Sequence, residues 1–425
     1  MKPAEIDRSG LEPQKYTMQN GQQLYFFVDN HINLVRLDII FDAGTVFQNK
    51  KFQSAAAINL VTEGTTRRSA REIGEFMDYR GIVLEKGNDI VTASLSVYTL
   101  SRYLDELLPF LYEIITEASY PQEEFEVYMS KRRQQLLTNN RKTSYVARVC
   151  YYERLFGSEH PLGSFATVED IDSLKVDDVR RFHHEHLQLS NARLVASGAI
   201  TKEVLKKIDM LTSRFVNSND QLDYDIVIPS PNPTSAIGFC PIEVQGTVQN
   251  TLRVGRLLPM EWNDMHYARF MVLSTILGGY FGSRLMSNIR EDKGYTYGVN
   301  ALTQINRDSI VFYILTDVAA DKAEPAMDEI RKELYRLRNE MVSEEELQLV
   351  RNCMLGDFVR SIDGVFERAE RYVQMKSAGI DETFTDNFMV ALDQDGTTVE
   401  QLQELAVDIL DPDKLLFISA GRIPQ

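Results

Sequence analysis

One stretch in the second half of the chain organises the sequence: Leu277-Gly-Gly-Tyr-Phe-Gly-Ser-Arg-Leu-Met-Ser-Asn-Ile-Arg-Glu-Asp-Lys-Gly-Tyr-Thr-Tyr-Gly-Val299. It predicts the end of one helix, a glycine-bearing loop, a second short helix and the start of a strand. Ser283 is expected to cap the second helix, because its hydroxyl can accept from an unpaired amide of the first turn. Gly294 suits the left-handed residue just past a helix end. Alternate residues from Tyr295 to Val299 are predicted to share one strand face.

Two polar residues of this stretch, Arg290 and Tyr297, allow two interpretations. An arginine on the last turn of a helix favours the negative end of the helix dipole, and tyrosine is common in strands. Alternatively, a fixed cation and a phenolic donor converge on one acceptor oxygen, such as a peptide carbonyl that is becoming an oxyanion. Residue types alone leave both interpretations open.

The two halves of the chain repeat one order of predicted elements. A strand at 33–43, paired with the strand before it, precedes a helix in the first half. A strand at 247–255 precedes a helix at 262–277 in the second half, and each half closes on a strand followed by glycine. We therefore predict an α+β fold with two homologous α/β-sandwich domains, each a mixed or antiparallel sheet flanked by helices. The domains are expected at 1–216, with residues 1–14 as a loose arm, and at 240–425. A linker rich in Asn, Asp, Ser and Pro joins them at 217–239.

The stretch LGGYFGSRLMSNIREDKGYTYGV resembles the C-terminal-half signature of the pitrilysin/insulinase/mitochondrial-processing-peptidase family, the inverzincins, and most of all its shorter, two-chain members. In that family an Arg and a Tyr seven residues apart contact the substrate across a closed chamber, and Arg290 and Tyr297 match those two positions. The resemblance implies that the two domains form half of a clamshell. A second two-domain chain would supply the other half.

The family's catalytic motif is absent from the position at which the resemblance places it. That motif is His-x-x-Glu-His on a helix, in which two histidines bind zinc and the glutamate activates the zinc-bound water. Here the corresponding residues are Ala55, Ile58 and Asn59, a degenerate motif without a zinc ligand of the family type. The region of the third ligand, 134–138, has no carboxylate. The resemblance therefore implies no metal and no cofactor in this chain, with zinc expected in the partner subunit.

The histidines offer one other cluster, His183, His184 and His186, at the end of a predicted helix. His183 and His186 are three residues apart and could share a metal, but no third ligand is evident nearby. We expect these side chains to pack and to favour the helix C-terminus.

Composition limits the remaining classes of function. The 425 residues carry a net charge of −16, which argues against binding to nucleic acid or to anionic membranes. No apolar run approaches the roughly 20 residues that span a bilayer. The N-terminus lacks the apolar core of a secretory signal, and the three cysteines are far apart in the sequence, so we expect reduced thiols and a cytoplasmic location.

The leading hypothesis is a noncatalytic, substrate-binding subunit of a heterodimeric zinc metallopeptidase. Its partners would be a homologous zinc-binding subunit and a peptide or small-protein substrate, with Arg290 and Tyr297 reaching the partner's zinc site. A homodimer is possible when the chain is alone. The alternatives are an inactive structural or peptide-binding homologue with no proteolytic role, and a self-sufficient peptidase, which the missing ligands disfavour.

Overall fold

The computed structural model describes residues 2–212, 228–231 and 236–423. The first of its two sheets has the strand order β1-β2-β6-β3-β5-β4, in which β2 and β6 are parallel and all other neighbours antiparallel. Its strands are β1 (Gln14–Thr17), β2 (Gln23–Val28), β3 (Leu34–Phe41), β4 (Val83–Asn88), β5 (Ala93–Leu100) and β6 (Arg193–Gly198). β3 and β6 lie at the centre of this sheet and are almost entirely buried, as strands covered on both faces must be.

The second sheet has the strand order β7-β11-β8-β10-β9, in which β7 and β11 are parallel and the other neighbours antiparallel. Its strands are β7 (Gly238–Glu243), β8 (Gln249–Leu257), β9 (Thr296–Asn306), β10 (Ser309–Ala319) and β11 (Leu416–Gly421). The order β7-β11-β8-β10-β9 repeats the order β2-β6-β3-β5-β4 of the first sheet. The predicted α+β fold of two repeated mixed-sheet domains is confirmed.

Helices flank both sheets and follow the same repeat. They are α1 (Gln53–Leu60), α2 (Ala70–Arg80), α3 (Leu104–Thr116), α4 (Gln122–Asn139), α5 (Thr143–Phe156), α6 (Val168–Ser173), α7 (Val176–His186), α8 (Lys202–Thr212), α9 (Met265–Gly278), α10 (Ala323–Asn339), α11 (Glu344–Ser361), α12 (Val365–Ser377), α13 (Glu382–Leu392) and α14 (Val399–Ile409). A π-helix, Met286–Asp292, occupies the place that α2 has in the first half. Among the described residues, no helix combines the length and the apolar character that crossing a bilayer requires.

The two halves exchange one helix each. α5 of the first half packs on β8 and β11 of the second sheet, while α12 of the second half packs on β2 and β6 of the first. The Tyr151 hydroxyl on α5 donates to the carbonyl of Phe312 at 2.7 Å, and a side chain on Gly255 would collide with both groups. Tyr372 on α12 packs edge-on against Phe27, with ring centroids 5.9 Å apart. Each exchanged helix therefore completes a core of the opposite half.

Three local expectations differ from the structure. Residues 1–14 are not a loose arm: Ile6 and Leu11 pack on the core of the second half, and Arg8 forms an ion pair with Asp386 at 2.7 Å. β3 does not pair with β2, because β6 lies between them. The Ser283 hydroxyl caps no helix and is buried without a hydrogen-bond partner among the described residues. The predicted linker at 217–239 lies largely outside the described residues, and β7 begins at Gly238.

Candidate functional site

Helix α1 carries the three positions of the degenerate zinc motif. Ala55 and Asn59 stand one turn apart, and the Asn59 side-chain amide donates to the Ala55 carbonyl at 2.8 Å. The Tyr128 hydroxyl of α4 donates to the same carbonyl at 3.4 Å. Ile58, at the position of the glutamate, is buried in the first core. The three positions therefore offer a methyl group, an aliphatic side chain buried in the core, and an amide that is hydrogen-bonded to its own helix, none of which is a zinc ligand of the family type.

Lys86 on β4 reaches the C-terminal end of this helix. Its ammonium donates to the Asn59 carbonyl at 2.5 Å and to the Thr62 hydroxyl at 2.6 Å, and it lies 3.9 Å from a carboxylate oxygen of Glu63. Burial lowers the pKa of Lys86 below its usual value. A cation at a helix C-terminus is favourable, since the helix carbonyls there have no amide partners. The ammonium lies beside Asn59, which occupies the position of the motif's second histidine, and there it would repel a divalent metal ion. The residues present therefore do not fit zinc.

Two of the three clustered histidines, His183 and His186, pack as expected, whereas His184 is exposed. His183 is buried, and its Nε2 lies 2.6 Å from the Ile115 carbonyl oxygen. Burial lowers the pKa of His183, which favours the neutral ring. The His186 ring packs against Phe182, with centroids 4.6 Å apart. Within the described ranges, no group of three or more His, Cys, Asp or Glu residues is placed to hold a metal ion.

Arg290 lies in the π-helix, a rare element that often marks functional positions. Other polar residues of this segment turn inward: Arg284 forms a two-bond ion pair with Glu346, and Asn288 donates to a carboxylate of α10. Arg290 differs, because its guanidinium has no carboxylate within ion-pair distance in the part of the chain that the structure describes. It lies over the Phe281 ring, 4.8 Å from the centroid. Its N–H donors are consequently available to an external acceptor.

Tyr297 points into solvent because of a β-bulge. Val299 pairs with Thr316, and Thr296 pairs with Val318. Between these two pairs β9 therefore contains one residue more than β10. The hydroxyls of Thr296 and Thr316 hold the bulge by donating to the Gly298 carbonyl, each at 2.9 Å. A bulge re-aims the side chains beside it. Tyr297 is therefore 95% exposed while Val299 is buried, and the prediction that these residues share a strand face is wrong.

The same end of the second sheet exposes further apolar groups. The π-helix packs along the start of β9, where the amide of Tyr295 donates to the Ile289 carbonyl at 3.0 Å. Phe281, beneath Arg290, is 64% exposed, and Val248, just before β8, is 83% exposed. We call Val248, Phe281, Arg290 and Tyr297 the candidate substrate surface. It combines a cation, a phenol and two apolar side chains, the groups that bind an extended peptide.

Sequence reasoning missed three contributors, Lys86, Phe281 and Val248. Lys86 and Leu84 share the inward side of β4, so a lysine at an inward strand position was the available signal. Phe281 lies in the quoted stretch, but a single aromatic residue in a loop gives no directional information. Arg290 lies in the π-helix and Tyr297 near the start of the edge strand β9, and their roles remain predictions.

Comparison with known proteins gives consistent results. Residues 173–354 match the family model for the peptidase M16 inactive domain. An uncharacterized zinc protease of Rickettsia bellii is 24% identical over 364 residues, covering 83% of this chain and 84% of that protein. The non-peptidase homolog YmxG of Helicobacter pylori is 22% identical over 358 residues, covering 82% of this chain and 81% of that protein.

Solved structures share the fold over nearly the whole chain. The peptidase M16 inactive domain from Pseudomonas fluorescens superposes with a TM-score of 0.83 at 20% identity, covering 97% of this chain and 98% of that chain. A protease from Helicobacter pylori superposes with a TM-score of 0.81 at 17% identity, covering 97% of this chain and all of that chain. The chain thus shares the fold of these proteins over 97% of its length.

Proposed function

We propose that this chain, which matches the peptidase M16 inactive domain over residues 173–354 and lacks the zinc ligands, is the noncatalytic, substrate-binding subunit of a heterodimeric zinc metallopeptidase. A homologous subunit with an intact His-x-x-Glu-His motif would bring the zinc. This chain would contribute Arg290 and Tyr297 to the peptide-binding side of the shared chamber.

One observation supports this proposal: the zinc-ligand positions hold no zinc ligands, while among the described residues Arg290 has no carboxylate partner and Tyr297 is exposed. At the zinc-motif positions, the Asn59 amide donates to the Ala55 carbonyl, and the Lys86 ammonium donates to the Asn59 carbonyl. The Arg290 guanidinium, by contrast, lies over the Phe281 ring without an ion pair among the described residues, and Tyr297 is turned outward by a bulge that two threonine hydroxyls stabilise. A purely structural protein has no need for two such side chains whose donors lack acceptors among the described residues.

The chemistry follows from the donors themselves. A guanidinium N–H and a phenol O–H can both donate to the carbonyl oxygen of a bound peptide, and these hydrogen bonds strengthen as negative charge develops on that oxygen. Loss of one such donor typically lowers the catalytic rate by about 10²–10³-fold. Phe281 and Val248 would contact apolar side chains of the same peptide.

The test is to isolate a tagged copy with its natural partner and to assay peptide cleavage by the pair. We expect Arg290→Ala and Tyr297→Phe each to lower kcat/KM by more than about tenfold, with no loss of co-purification. Arg71→Ala and Tyr79→Phe are matched controls, since both residues are highly exposed on α2, away from the candidate substrate surface. Unchanged kinetics in both test variants would refute the assigned roles.

A noncatalytic homologue with no proteolytic role is the second candidate, and the name of the Helicobacter pylori relative, non-peptidase homolog, favours it. Purification separates the two. A co-eluting chain of similar size with about one zinc per pair supports the subunit proposal. A metal-free homodimer that binds peptides without cleaving them supports the second candidate.

We propose a cytoplasmic location, on the basis of the free Cys150, Cys240 and Cys353. A structural neighbour, the first half of PqqL from Escherichia coli, is described as periplasmic, so the fold itself is compatible with either compartment. Cell fractionation with antibodies against this chain distinguishes them, and recovery in a periplasmic extract would contradict the proposal.

A further inference from the structure

A cavity of about 860 Å³ lies between the two halves, apart from the candidate substrate surface. Its walls come from both sheets and from both exchanged helices. Apolar residues form much of the lining, including Ile40, Leu162, Phe165 and Val373. A cavity of this size and character accommodates a ligand of a few hundred daltons.

Arg253 on β8 lines this cavity and is only 5% exposed. Its guanidinium lies 4.1 Å from the centroid of the Tyr313 ring and about equally far, 5.1 and 5.2 Å, from those of Tyr151 and Tyr152. Among the described residues it has no ion pair and no hydrogen-bond acceptor, and its Nε is fully buried without a partner. Aromatic faces offset part of the cost of burying a cation, but they leave the N–H donors unsatisfied.

The three tyrosines around Arg253 present their ring faces to the guanidinium, and among the described residues none of their hydroxyls accepts a hydrogen bond from it. The Tyr151 hydroxyl donates to the Phe312 carbonyl, and the Tyr152 hydroxyl donates to Gln304 Oε1 at 2.7 Å. The rings are thereby fixed with their faces toward the guanidinium. Arg253 is held in position with its donor capacity unused, which is the preorganisation that a binding site for an anion requires.

The other charges of the cavity wall reinforce this polarity. Arg148, exposed on α5, stands at the cavity with its guanidinium 5.7 Å from the Phe165 ring centroid. Arg307 also lines the cavity and attracts the carboxylate of Asp42. Among the described residues, Asp89 is the one carboxylate in the lining, and it already accepts from the amides of Val91 and Thr92. A protein of net charge −16 thus presents a locally cationic cavity.

We propose that this interdomain cavity binds a small amphiphilic carboxylate, such as the C-terminal end of a short apolar peptide, with Arg253 hydrogen-bonded to the carboxylate. The planar guanidinium matches a carboxylate in geometry, and the apolar walls contact the body of the ligand. Arg148 adds attraction at the cavity without being buried. This site is independent of the proposed peptidase role, since it involves no residue of the candidate substrate surface.

The experiment uses the full chain and an N-acetylated Ala-Ala-Leu-Phe tetrapeptide, in which the terminal carboxylate is the sole charge. Its C-terminal amide is the matched ligand control, and inorganic phosphate tests for a phosphoryl ligand. Thermal unfolding and calorimetric titration are measured for the wild type, Arg253→Met and Arg148→Gln. We expect the free acid to raise Tm saturably and the amide to have no effect. Arg253→Met should weaken binding by at least about thirtyfold, the lower end for a truncated buried charge pair, and Arg148→Gln should weaken it less.

Folding of the variant is itself informative. Without ligand, Arg253→Met should be at least as stable as the wild type, because it removes a buried cation that has no anion. A clear loss of stability in this variant, together with no response of the wild type to the free acid, would make Arg253 a structural residue and overturn the proposal. Equal responses to acid and amide, or saturation by phosphate but not by the acid, would also overturn it.

Discussion

Replacing Lys86 by methionine tests the interpretation that its ammonium satisfies the Asn59 carbonyl and the Thr62 hydroxyl, beside the position of the motif's second histidine. The change removes two charge-assisted hydrogen bonds, to the Asn59 carbonyl and the Thr62 hydroxyl, each worth about 1.5–3 kcal/mol. It also removes about 0.3–1 kcal/mol of interaction with the end of α1. Relief of the cost of burying an ammonium, itself several kcal/mol, offsets much of this sum. We expect the free energy of unfolding to fall by about 1–3 kcal/mol, which lowers Tm by about 3–10 °C for a half of roughly 200 residues.

The pH dependence of this loss gives a sharper criterion. Burial lowers the pKa of Lys86 in the folded state, so the folded chain releases this proton at a lower pH than the unfolded chain. The unfolded chain then holds more protons, and stability rises with pH up to the unfolded pKa of about 10.4. The contribution of Lys86 is thus fully present above that value and declines as pH falls through the folded pKa. The difference between wild type and Lys86→Met should widen from pH 8 to pH 10.

Urea unfolding at several pH values measures this difference directly. Lys131→Met is the matched control, since Lys131 is exposed on the neighbouring α4, and it should change the free energy of unfolding by less than about 0.5 kcal/mol. A Lys86→Met protein more stable than the wild type at every pH, or a difference that narrows as pH rises, would refute this account of Lys86.

Three further predictions concern the joint between the halves, the thiols and the metal. Tyr151→Phe should lower the free energy of unfolding by about 1–3 kcal/mol, because the Phe312 carbonyl loses a buried donor. The control Tyr79→Phe, at an exposed residue, should leave the free energy of unfolding unchanged, and equal stability of the two variants would contradict this prediction. The Sγ atoms of Cys150 and Cys240 are 4.0 Å apart, so the dithiol oxidant diamide should join them in a disulfide, detected by peptide mapping. Because burial raises the pKa of Cys150 to about 11, the reaction should be faster at pH 9 than at pH 7, and cross-linking through Cys353 instead would contradict the geometry. The purified chain should hold less than about 0.1 zinc per molecule by elemental analysis, whereas about one zinc would show that ligands of a kind not foreseen here exist.

Local patterns in the sequence predicted most of the fold. Alternation and helical periodicity located the strands and helices of both halves, and the repeat followed from their order. Periodicity states which face of a helix is apolar, but it does not state which sheet will cover that face. The exchange of α5 and α12 was therefore beyond sequence reasoning, as was the insertion of β6 between β2 and β3, since both depend on contacts between distant parts of the chain.

The candidate site shows the same division. Residue identities and spacing singled out Arg290 and Tyr297 and showed that Ala55, Ile58 and Asn59 are poor zinc ligands. The outward direction of Tyr297 depends on the bulge opposite Val318, which arises from hydroxyl contacts between two strands. The failed N-cap at Ser283 has a related cause: the helix continues as a π-helix, and its tight connection to α9 buries that hydroxyl. Hydrogen bonds between strands, rather than local propensity, thus decide the direction of Tyr297.

The exchange of α5 and α12 has a consequence for how the protein is made. During synthesis, the first sheet is complete in strands by about residue 198, yet the helix that covers β2 and β6 is not translated until residue 377. Until then Phe27, Ile40 and Val195 have no cover from that helix, and a nascent first half must avoid association through this face. The chain is consequently a poor source of autonomous fragments. A cut in the segment between the halves would leave two fragments, each of which lacks a helix that covers its sheet. Reassembly of separately produced fragments is therefore a better experiment on this architecture than isolation of one half.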